Sequence, residues 1–119
     1  MIRKKAINID KILTVMGKET TITGTLQSSS PIRIDGNVEG EISIDSDIII
    51  GEGAVIQATV KGQNIQLSGK VIGNIEASGK LEIMSTGVVE GDVNVNTLHV
   101  EDGGMLVGNC SMRRPQEHE

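Results

Sequence analysis

The stretch Ile32-Arg33-Ile34-Asp35-Gly36-Asn37-Val38-Glu39-Gly40-Glu41-Ile42-Ser43-Ile44 decides the fold of this chain. It holds two short alternating apolar segments separated by a glycine turn. The same arrangement returns further along. Ile32, Ile48, Ile65, Leu81 and Leu98 open the first segment of each copy, and Ile34, Ile50, Leu67, Ile83 and Val100 close it. Both series advance by 16 or 17 residues per step. A fixed period of that length marks a solenoid, in which each repeat is one coil stacked on the last. One such coil is too short to enclose a core, so the coils must stack.

The second segment repeats with equal regularity. Val38-x-Gly40-x-Ile42-x-Ile44 is followed by Ile56-x-Ala58-x-Val60-x-Gly62 and Val71-x-Gly73-x-Ile75-x-Ala77. Val89-x-Gly91-x-Val93-x-Val95 and Leu106-x-Gly108-x-Cys110-x-Met112 complete the series, and Ile22-x-Gly24-x-Leu26-x-Ser28 is a partial copy upstream. Alternation of period two puts the named residues on one face of a strand and the intervening Glu39, Glu41, Glu90, Asp92 and Asn94 on the other. Between the segments lie turn glycines, Gly36, Gly53, Gly69, Gly87 and Gly103 or Gly104, read as positions that need positive φ. The Gly/Ala column at 24, 40, 58, 73, 91 and 108 is read as inward-facing, at a corner where the interior narrows.

Composition agrees. The chain has 119 residues, 15 glycines, 2 prolines and no Phe, Tyr or Trp. A sandwich or helical domain of this size draws core volume from aromatics, whereas a thin solenoid needs uniform Ile, Val and Leu stacks. The reading is an all-β, single-domain parallel β-helix of five to six coils. At roughly 4.8 Å per coil it forms a rod on the order of 25–30 Å long. A net charge of −5 disfavours nucleic acid, whose nonspecific binding rests on Lys and Arg at the phosphates. The lack of aromatics removes stacking platforms for bases.

Three regions are set out: 1–18 as an N-terminal segment, 19–112 as the β-helix, and 113–119 as a disordered polar tail. In the first, Ile9, Ile12, Leu13 and Met16 have helical spacing. With Ile2, Arg3, Lys4 and Lys5 they describe a weak contact with an anionic membrane surface, against the alternatives of a cap over the first coil or a plain tail. No apolar run spans a membrane and no h-region follows Lys5, so the chain reads as cytoplasmic, with the inner face of the cell membrane as a possible site of association.

No catalytic constellation is present. His99 lies between Leu98 and Val100 and points outward. A hexapeptide-transferase-like enzyme using His99 at a trimer interface is the rival reading, but three hexapeptides give an 18-residue coil. Cys110 is read as buried, a small hydrophobe on the inward column. No phosphate loop or metal spacing occurs, and no cofactor is expected.

The coils from about Thr21 to Met112 resemble the bactofilins, bacterial polymer-forming cytoskeletal proteins. The resemblance is carried by residues 32–42, Ile50-Gly-Glu-Gly-Ala54, Gly69-Lys-Val-Ile-Gly-Asn-Ile-Glu-Ala77, Leu81-Glu-Ile83, Thr86-Gly-Val-Val-Glu-Gly-Asp-Val93 and Gly108-Asn-Cys-Ser-Met112. It implies a right-handed, three-sided β-helix and filaments that form without nucleotide. Such filaments scaffold cell-shape, cell-wall or motility machinery. The chain departs from the family in lacking aromatics near the end of the core and in having short tails.

Solenoid physics points the same way. An uncapped solenoid exposes unpaired strand edges and a slice of core at each end. Ile22 and Leu26 at one end, and Leu106, Cys110 and Met112 at the other, are the residues expected to meet a further copy in a homopolymer.

Overall fold

A computed structural model describes residues 14–112. In chain order its strands are β1 (Thr14–Met16), β2 (Thr21–Ser28), β3 (Ile32–Ile34), β4 (Asn37–Ile44), β5 (Ile48–Ile50), β6 (Val55–Gly62) and β7 (Ile65–Leu67). They continue as β8 (Lys70–Ile72), β9 (Ile75–Ile83), β10 (Val88–Glu90), β11 (Val93–Val100), β12 (Met105–Val107) and β13 (Cys110–Met112). All the pairings are parallel, each strand bonding to its counterpart one coil away. The result is a three-sided β-solenoid of about six turns.

The first side carries β1, β3, β5 and β7, then the second halves of β9 and β11. The second side runs through the first halves of β2, β4 and β6 to β8, β10 and β12. The third is formed by the second halves of β2, β4 and β6, the first halves of β9 and β11, and β13. Long strands thus bend round a corner and serve two sides.

The core is a set of aliphatic ladders. Ile34, Ile50, Leu67 and Ile83 stack in register on the first side, each fully buried. Val38, Ile56, Val71 and Val89 do the same on the second, and Ile42, Val60, Ile75 and Val93 on the third. Among the described residues no polar or charged side chain is buried. A triangular bore lined by Ile, Val, Leu and Ala, with Met16 at its first coil, needs no aromatic volume, which is why the composition can omit it.

Two glycine readings are corrected. Positive φ belongs to the column 24, 40, 73, 91 and 108, with Gly40 at +131° and Gly91 at +145°. This column does form a corner, the one between the second and third sides, as expected, but its glycines are not inward-facing as read: Gly40 is exposed, while Ala58 in the same column is buried. A Cβ on Gly40 would meet the carbonyl oxygen of Gly24 one coil below, and one on Gly91 that of Gly73. Of the turn glycines only Gly103, at +96°, has positive φ. Gly36, Gly69 and Gly87 are required by packing instead, because a Cβ there would press on main-chain oxygens of the preceding coil.

The helical reading of Met16 is also corrected. Met16 closes β1 in register with Ile34 and is 5 % exposed, so it is a core residue and not a membrane contact. Ile2, Arg3, Lys4, Lys5, Ile9, Ile12 and Leu13, and the tail 113–119, lie outside the described residues.

Candidate assembly surfaces

Among the described residues, each end of the rod is a complete triangular coil with a partner on one side only. β1 pairs with β3 and β2 with β4; β12 pairs with β10 and β13 with β11. Among the described residues no further strand covers the outer edges of these four. Their outward-turned N–H and C=O groups form an edge on which a further strand could pair.

The inward columns show what the ends lack. Ile83 is fully buried, while Val100, its register partner one coil on, is 40 % exposed. Val93 is buried, while its partner Cys110 is exposed. The sequence placed Cys110 in the correct column but assigned it burial it does not have, because among the described residues no seventh coil closes over it. Leu98 and Leu106 are half-buried against the core, as are Ile22 and Leu26 at the other end.

The two ends differ in character. The five inward positions of the last coil are Leu98, Val100, Leu106, Cys110 and Met112, all apolar. The equivalent positions of the first are Thr14, Met16, Ile22, Leu26 and Ser28. The structure therefore groups the sequence-derived residues into two faces and adds Leu98 and Val100 to the C-terminal one. Those two were visible in the sequence as the last members of the first-side series. Sequence reasoning missed Met105 and Val107, 53 % and 52 % exposed, which turn outward on β12. Their signal was an apolar residue on both outward positions of one strand.

The walls are held by polar ladders rather than by reactive groups. At the corner between the third and first sides Asn64 donates to Asp47 at 3.1 Å and accepts from the Lys80 N–H at 3.0 Å. Asn96 donates to the Ser78 carbonyl at 2.6 Å. Between the second and third sides Asn109 donates to Asp92 at 3.3 Å. His99 is exposed on the first side, level with Glu82. A shallow depression of about 530 Å³, lined by Thr59, Asn74, Glu76 and Asp92 among others, lies on the third side, away from it. Among the described residues no group of three or more His, Cys, Asp or Glu could hold a metal, and no helix is long and apolar enough to cross a membrane.

Comparison with known proteins matches residues 14–111 to the bactofilin family, described as polymer-forming cytoskeletal. Bactofilin BacO of Myxococcus xanthus (strain DK1622) is 32 % identical over 99 residues, spanning 83 % of this chain and 79 % of the relative. Bactofilin BacP of the same organism is 31 % identical over 105 residues, 88 % of this chain and 43 % of the relative. Among solved structures, the cryo-EM reconstruction of Thermus thermophilus bactofilin double helical filaments superposes with a TM-score of 0.77. It is 24 % identical and matches 85 % of this chain and 100 % of that one.

Proposed function

The chain belongs to the bactofilin family of polymer-forming cytoskeletal proteins, and from that premise we propose that it is a non-enzymatic scaffold subunit that stacks end to end into filaments without nucleotide. The observation that carries this reading is the loss of burial in core columns at the terminal coils, at Ile22 and Leu26 at one end and at Val100, Cys110 and Met112 at the other. The end faces present main-chain edges and core side chains in the same triangular outline as the coils between them.

Magnitudes decide how such a joint holds. Completing the burial of Met112, which is 58 % exposed, contributes on the order of 1 kcal/mol. Association costs about 4–15 kcal/mol. No single side chain therefore secures the contact. The whole cross-section is needed, with strand-to-strand hydrogen bonds across the joint adding about 0.5–1.5 kcal/mol each.

Finer elements of the reading rest on the sequence. The basic and apolar residues Ile2, Arg3, Lys4, Lys5, Ile9, Ile12 and Leu13 suit a weak contact with anionic lipid, holding filaments at the inner face of the cell membrane. Cell-wall or motility proteins are the partners such a scaffold would organise. Electron microscopy of the pure protein, with and without nucleotide and EDTA, tests the central reading. Filaments under all these conditions are expected. Discrete trimers, or assembly that needs ATP, GTP or metal, would overturn it.

A further inference from the structure

The fold gives the described methionines different access to solvent. Met16 is 5 % exposed, in the core of the first coil. Met84 is half-buried, and its sulfur accepts a hydrogen bond from Gln66 at 3.7 Å. Met105 and Met112 are 53 % and 58 % exposed. These last two point in different directions. Met105 turns outward on β12, level with Val88. Met112 continues the inward column of Ala77 and Val95, both buried. Its thioether is therefore open to solvent in a free rod, yet stands where a further coil would stack.

We propose that Met112 is a site of reversible oxidation that sets whether the C-terminal end of the rod can grow; the proposal deepens the end-to-end reading above and rests on it. The oxidant is a peroxide. The Met112 sulfur gives a lone pair to one oxygen of hydrogen peroxide, the O–O bond breaks, and the second oxygen leaves as water. Sulfur is oxidised to the sulfoxide and the peroxide is reduced. A flexible apolar side chain becomes a polar one.

The consequence depends on what lies over the residue. In the free rod the sulfoxide oxygen is hydrated and the coils below are untouched. In a closed joint it is enclosed among hydrocarbon side chains, and the main-chain N–H groups there are already engaged in pairing. An oxygen buried without a donor weakens the joint by about ten- to hundredfold. The response is also one-sided. The N-terminal face holds Met16, but that side chain is buried, so peroxide acts on the C-terminal end. Within a filament a further coil shields Met112, which confines the reaction to free rods and open ends.

Mild treatment of dilute full-length protein with hydrogen peroxide, ended with catalase, tests this. Dithiothreitol then returns Cys110 from sulfenic acid or disulfide to the thiol and leaves sulfoxides in place. Peptide mass spectrometry locates the sulfoxides, and sedimentation gives the protein concentration needed for filaments, each protein being compared with its own untreated sample. Wild type is expected to need about tenfold more protein or higher after oxidation. Met105→Leu is expected to lose as much as wild type, and Met112→Leu little. Methionine sulfoxide reductases A and B, with dithiothreitol, are expected to restore wild-type assembly. Protein carrying the Met112 sulfoxide that assembles at its untreated concentration, or Met112→Leu losing as much as wild type, would overturn the proposal alone. Oxidation of Met112 as fast within filaments as in dilute protein would place the joint elsewhere and overturn the end-to-end reading, and this proposal with it.

Discussion

Val95 and Met112 occupy the same inward column in adjacent coils, in parallel register, yet Val95 is 0 % exposed and Met112 is 58 % exposed. The difference is that β11 has a strand on either side and β13 has one. Among the described residues, the end of this rod is an interior surface left open.

The corner glycines should tolerate substitution unequally. Gly91→Ala forces a Cβ onto the Gly73 carbonyl as well as adopting an unfavourable φ, and is expected to cost about 2–4 kcal/mol. Gly24→Ala carries the same kind of φ but meets nothing within 4 Å, so about 1–2 kcal/mol is expected. Urea denaturation of dilute protein measures both. Equal losses would mean that close stacking between coils plays no part.

Cys110 offers a reporter that needs no mutation. It is the chain's one cysteine and it is exposed on the last coil. A maleimide should label it readily in dilute, unassembled protein and many-fold more slowly in filaments, where a further coil covers it. Labelling at the same rate in both states would place the joint elsewhere.

Sequence reading recovered the repeat, its register and the order of the strands, because period-two alternation of Ile, Val and Leu is written directly into Ile32–Ile44 and its copies. It missed β1. Thr14 is polar, and the step from Thr14 to Ile32 is 18 residues rather than 16 or 17, so Met16 fell into an apparent helical stripe with Ile9 and Leu13. It also misread Cys110, since a column assignment states which way a residue points and not whether another coil lies beyond it. The glycine columns were found but their reasons exchanged: φ and main-chain clearance depend on the coil below, which local sequence does not reveal.

The core position of Met16 sharpens the membrane test. A deletion of residues 1–16 would remove β1 and open the first coil, so the informative variant lacks 1–13 and keeps it. Full-length protein is expected to co-sediment with vesicles containing anionic phosphatidylserine more strongly than this variant. Each of Arg3, Lys4 and Lys5 contributes about 1 kcal/mol near such a surface, and the difference should shrink as salt is raised. Equal sedimentation would remove the membrane from the proposed function.

The most direct measurement is filament length in Leu106→Lys beside Asn109→Lys, with β-sheet circular dichroism of each. Leu106 is half-buried at the open face, so a lysine can reach water in the free rod but not in a closed joint. There an unpaired charge costs several kcal/mol. Asn109 is exposed beside Asp92, where a lysine is accommodated. Leu106→Lys should keep the β-sheet spectrum and lose long filaments, while Asn109→Lys keeps both. Long filaments from a normally folded Leu106→Lys protein would contradict end-to-end assembly through the C-terminal coil.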